Sequence, residues 1–97
     1  MIQGDHNDGA KERRLLVAIL FRAILDLLSR NENERLLAKL FLEQATAEHW
    51  SFSWICGHLE LCPRKVLRVL RECGYFEEGA KHRRDLRRRF KSFLRYR

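Results

Sequence analysis

The apolar positions of this chain fall into clusters with a helical repeat, separated by short polar breaks. From Lys11 to Arg30 the apolar set is Leu15, Leu16, Val17, Ile19, Leu20, Phe21, Ile24, Leu25, Leu27 and Leu28. Its only marked polar interruptions are Arg22 and Asp26, one helical turn apart. One amphipathic helix needs a narrower apolar stripe than this. The pattern therefore predicts a central core helix that also carries a homodimer interface, with Leu16, Leu20 and Leu27 among its contacts. The run from Asn31 to Glu34 breaks the helix and caps the next one, where Asn satisfies free N–H groups and Glu suits the positive helix end. Leu36, Leu37, Leu40 and Phe41 then share one face of a helix from Arg35 to Gln44. Thr46 to Trp50 reads as a loop, and Ser51 or Ser53 caps the helix that follows. Pro63 suits a helical first turn, and Gly74 suits a helix stop. After a connector from Tyr75 to Gly79, Leu86, Phe90, Phe93 and Leu94 form an apolar stripe in a last helix from Ala80 to Arg97.

These elements make an all-α fold of about five helices, a helix-turn-helix bundle with a basic C-terminal helix. Residues 1–10 are expected to be a flexible tail, and residues 11–97 a single domain. A chain of 97 residues with 45% apolar content can bury one modest core.

Charge changes this picture. The net balance is +7, but residues 1–60 carry 7 Lys/Arg against 9 Asp/Glu, whereas residues 61–97 carry 13 against 4. A near-neutral half joined to a strongly basic half implies a scaffold with a polyanion-binding face. The three cysteines are an odd set, with no C-x-x-C pair. Free thiols in a reducing, cytoplasmic setting are the simplest reading, and no metal is expected. No secretory signal is legible at the start of the chain, and Leu15 to Phe21 is far too short to cross a membrane. Catalytic chemistry is not evident either. Gly-rich phosphate loops are missing, Glu77 and Glu78 sit in a connector, and the nearness of His49, Ser51 and Ser53 along the chain is not a nucleophile–base geometry. The expectation is a non-enzyme without a cofactor.

The segment from Phe52 to Leu70 reads FSWICGHLELCPRKVLRVL. A short helix, a bend at Glu60–Pro63 and a second helix with a basic outer side are legible in it. Over Ile55 to Val69 this segment resembles the helix-turn-helix of small bacterial and phage transcription regulators. The resemblance rests on Cys56 as the small residue beside Ile55, Leu59 closing the first helix, Leu61 as the apolar anchor of the turn, and Val66 with Val69 as the buried pair of the second helix. It covers about twenty of the 97 residues. The turn position that is usually Gly in that family is Glu60 here, and a non-Gly residue with positive φ costs about 1 kcal/mol.

The resemblance implies sequence-specific binding of double-stranded DNA in transcriptional regulation, in a bacterial or phage-infected cell and close to the nucleoid. Arg64, Lys65, Arg68 and Arg71 are the expected groove-facing residues, with Leu67 outward among them. Arg84, Arg87, Arg88 and Lys91 of the last helix suit phosphate contacts. Dimerisation would pair half-sites. Trp50, Trp54 and His58 are expected to anchor the bend in the core, with base stacking as their alternative role. The competing functional reading is an RNA-binding or protein-interaction adaptor whose basic helix takes an acidic partner. A helix lying on a membrane surface is a third.

Overall fold

A computed structural model describes residues 2–44, 46 and 48–95 of the chain, with side chains described outside residues 2–8 and 95. Five helices follow one another: α1 (Ile2–Asp26), α2 (Glu32–Glu43), α3 (Phe52–His58), α4 (Pro63–Glu72) and α5 (Ala80–Arg95). No strand occurs among the described residues.

Local chemistry explains most of the boundaries. The Asn31 side-chain oxygen accepts from the backbone N–H groups of Asn33 and Glu34, at 2.8 and 3.2 Å, and starts α2. Ser51 starts α3 by accepting from Trp54 N–H at 3.2 Å. Pro63 opens α4, where its missing N–H costs nothing. At the other end of α4, Gly74 has φ 83°. The N–H of Gly74 donates to Arg71 and that of Tyr75 to Leu70, the paired closure that a left-handed residue after a helix permits. A Cβ on Gly74 would lie 2.6 Å from His82 Nε2 and would push that ring away from its contact with the Gly74 carbonyl.

Two boundaries differ from expectation. The segment 2–10, expected to be a tail, continues α1. The glycines there weaken a helix, but no proline stops one from extending back from Lys11. At its other end α1 stops at Asp26 rather than Arg30, and Leu27 and Leu28 turn inward, both buried. The backbone N–H groups of Leu27, Leu28 and Ser29 satisfy the last carbonyls of the helix, and arginines hold the carbonyls of the connector beyond it. The Arg35 guanidinium donates to the carbonyls of Ser29 and Arg30, at 2.8 and 3.0 Å, and Arg87 of α5 donates to the Leu28 carbonyl. Both charges lie at the negative end of the helix dipole.

The core lies where α1, α2 and α3 meet. Leu16, Leu20, Ala23, Ile24 and Leu27 face Ala38 and Leu42 of α2 and Phe52, Ile55 and Cys56 of α3, with Leu59, Leu70 and Phe90 closing the edges. This corrects the expected dimer interface. Leu16, Leu20 and Leu27 are buried within their own chain and are not available to a second copy. Most of the α1 stripe is covered by α2, α3 and α5, with Leu15 left exposed and Val17, Ile19 and Phe21 half-buried. Phe90 meets Phe21 edge-on with centroids 5.5 Å apart. The exposed leucines are Leu15 on α1, Leu36, Leu37 and Leu40 on one side of α2, and Leu61 in the bend before α4. In the stripe of α5, Leu86 and Phe90 dock but Phe93 is 55% exposed.

Between α3 and α4 the bend takes its shape from Glu60, which has φ 60°. The N–H of Leu61 reaches back to the Cys56 carbonyl at 2.8 Å and fixes the turn. The Glu60 side chain is exposed and makes no hydrogen bond or ion pair among the described residues, so it contributes little to offset the backbone strain. Glu60→Gly is expected to raise stability by about 0.5–1 kcal/mol in urea unfolding, with unchanged helix content. A loss of stability in that variant would show that this φ is not strained in solution.

Candidate nucleic-acid interface

The outward side of α4 follows from which of its residues point inward. Val66, Leu67 and Leu70 pack on the core, spaced as one side of a helix. Leu67 is therefore not an outward contact, as the family register had implied. Val69, expected to be buried, is 53% exposed, and Leu61, the expected anchor of the turn, is 42% exposed. The helix is turned by about one residue, roughly 100°, from the expected phase. Two leucines bury more apolar area than two valines, and that difference favours the observed phase.

With this rotation, Arg64, Lys65 and Arg68 stand exposed over the first two turns of α4. None of the three has an ion pair among the described residues. They project at the positive end of the helix, beside its uncapped N-terminus. Cys62 occupies the cap position without a side-chain hydrogen bond in its thiol form. Its ionised form is favoured, first by the backbone N–H of Lys65 and then by that of Arg64 and by both side-chain charges, so the Cys62 thiol sits below the usual range. Cys56 behaves oppositely. Burial, with a smaller contribution from Cys62, pushes its thiol up to about 11. Near neutral pH, iodoacetamide is expected to alkylate Cys62 in the folded protein and leave Cys56 untouched, as read by peptide mass mapping. Comparable labelling of Cys56 without denaturant would contradict this packing.

Arg71, the fourth predicted contact, is otherwise engaged. Its guanidinium bridges to Glu43 at the end of α2, 3.2 Å away, and lies 5.5 Å from the centre of the Phe76 ring. It orients α4 more than it extends the free basic side.

Comparison with known protein families, curated proteins and solved structures finds no match. The geometry of the chain itself therefore carries the functional argument.

The predicted phosphate-contacting residues of α5 separate into two groups. Arg84, Arg88 and Lys91 are exposed and have no ion pair among the described residues. Arg87 is half-buried and holds the end of α1, so it is a structural residue as well as a charge. Just before α5, Glu78 bridges Lys39 at 3.0 Å and Arg83 at 3.4 Å. The hydrogen bond from Lys39 is the main reason its carboxyl lies below the ordinary value. The support it lends is present above the ordinary carboxylate value and fades as pH falls through the depressed one.

An aromatic row along the outer side of α3 is the feature that sequence reasoning placed wrongly. Trp54 is half-buried and meets His49, Trp50 and His58 with centroids 5.5, 5.1 and 4.0 Å away. The other three rings are exposed rather than anchored in the core. Nδ1–H of His58 donates to the Trp54 carbonyl at 3.1 Å, which fixes the ring against the helix. Trp50 also has φ 68°, a conformation that costs a bulky residue about 1–2 kcal/mol. The only sequence signal for this row was the i, i+4 spacing of Trp50, Trp54 and His58, which fits a buried side equally well.

Of the remaining features, no group of three or more His, Cys, Asp or Glu among the described residues can hold a metal ion. No helix there is long and apolar enough to cross a membrane.

Proposed function

We propose that this chain binds double-stranded DNA through α4, in a transcriptional or related DNA transaction. The observation that carries the reading is the unpaired trio Arg64, Lys65 and Arg68 at the exposed start of a helix presented by a short bend. Arginine forks match the O6 and N7 acceptors of guanine, and a helix entering the major groove presents its first turns to base edges. Arg84, Arg88 and Lys91 add charge suited to phosphates. If two copies pair to read two half-sites, the exposed Leu36, Leu37 and Leu40 of α2 replace the buried leucines of α1 as the apolar surface between them.

Selection of duplexes from a random pool, followed by fluorescence anisotropy at several salt concentrations, tests the proposal. Expected is enrichment of a defined site and a linear fall of log affinity with log salt, about 0.9 per phosphate neutralised. Enrichment of no sequence, with binding to acidic polypeptides instead, would overturn it in favour of an acidic protein partner. The aromatic row supports a second reading, binding of single-stranded nucleic acid or RNA, because exposed rings stack on bases without regard to sequence. RNA that displaces duplex and quenches tryptophan fluorescence would select this second reading.

A further inference from the structure

We propose that the cleft between the end of α1 and the start of α5 is an anion site that takes a phosphoryl group. The cleft measures about 330 Å³ and is lined by Arg30, Arg83, Arg84, Arg87 and Ala80. No acidic residue lines it among the described residues. Arg30 and Arg84 are exposed and make no side-chain hydrogen bond or ion pair among the described residues. Arg83 uses part of its guanidinium on Glu78, and Arg87 uses part of its own on the Leu28 carbonyl. Each guanidinium carries five N–H donors, so most of the donors around the cleft are left without a protein acceptor.

Helix α5 adds to the positive potential. Its first turn contains no acidic residue, and Lys81 stands there instead. Gly79, whose carbonyl accepts from Arg83 N–H, has no side chain with which to cap the helix. Positive side chains at a positive helix end repel it. A bound anion relieves that repulsion and accepts the free donors together. A carboxylate offers two oxygens and one charge for four guanidiniums. A phosphoryl group offers three oxygens and close to two charges, and its geometry suits the paired donors of arginine.

The site is separate from the α4 trio. None of Arg64, Lys65 and Arg68 lines the cleft, whose residues come from the connector after α1 and the first half of α5. The cleft shares only Arg84 with the phosphate contacts proposed for duplex binding, so the α4 reading can fail without it.

The test is calorimetric titration of the full chain with pyrophosphate at fixed ionic strength. Three proteins are compared: the parent, an Arg30→Gln/Arg84→Gln variant and an Arg64→Gln/Arg68→Gln variant. All four substituted residues are exposed, and Gln keeps helix propensity, so circular dichroism should be unchanged. Expected is one pyrophosphate per chain, with affinity weakened about tenfold or more in the Arg30/Arg84 variant and unchanged in the Arg64/Arg68 variant. Equal weakening in both variants would reveal diffuse attraction and overturn the site, as would no binding to the parent. A further arm identifies the source of the phosphoryl group. Displacement of pyrophosphate from the parent by saturating duplex supports a nucleic-acid phosphate in the cleft. Pyrophosphate still bound in saturating duplex supports a free phosphorylated ligand in the same site.

Discussion

Arg64→Ala, Lys65→Ala and Arg68→Ala combined are expected to weaken duplex binding by at least about a hundredfold, since each base-reading contact contributes roughly 1–3 kcal/mol. The fold should be unaffected. All three side chains are exposed and have no ion pair among the described residues, and alanine is the strongest helix former. Anisotropy with the selected duplex gives the affinity, and thermal melting checks the fold. Single variants add resolution. A residue that reads a base should lose affinity mainly on the selected site, whereas one that touches phosphate should lose it on every sequence. Unchanged affinity in the triple variant removes α4 from the interface. Binding would then rest on α5 or on the aromatic row.

Phe52→Ala should be the most disruptive single truncation for the fold. The ring is fully buried at the first residue of α3 and meets Phe41 of α2 edge-on, with centroids 6.2 Å apart. Emptying a well-packed aromatic site costs about 3–5 kcal/mol, from lost transfer energy and the cavity left behind. Domains of this kind have only about 5–15 kcal/mol in total. The variant should therefore unfold at a much lower urea midpoint, with a similar slope. A loss below about 1 kcal/mol would mean that α1 and α2 collapse into the space, a more plastic core than the packing indicates.

Much of the fold was readable because its punctuation is local. Asn31, Ser51, Pro63 and Gly74 act within four or five residues of themselves, and each sits where its backbone chemistry demands. The left-handed residue of the bend fell at Glu60, the position where the family pattern places glycine. The angular phase of α4 was not readable. Val66 with Val69, or Val66 with Leu67 and Leu70, are both acceptable helical sides, and only the neighbouring elements choose between them. The free surface of α1 was overestimated for a similar reason. A wide apolar stripe looks alike whether α2, α3 and α5 cover it or a second copy does. Among the charges, sequence position could not separate Arg84, which is free, from Arg87, which holds a carbonyl. Arg30 carried no signal at all. It precedes a cap in a short connector, and only the arrival of α5 places it opposite other guanidiniums.

The closure of α1 has a consequence for how the chain is made. The Leu28 carbonyl waits for a guanidinium 59 residues further along, and Phe21 waits for Phe90. On a ribosome, chain emerges at roughly 5–20 residues per second. Helix α1 is thus exposed for several seconds before α5 exists. During that interval α2 and α3 can already collapse onto it, but the side reserved for α5 stays open to whatever else is nearby.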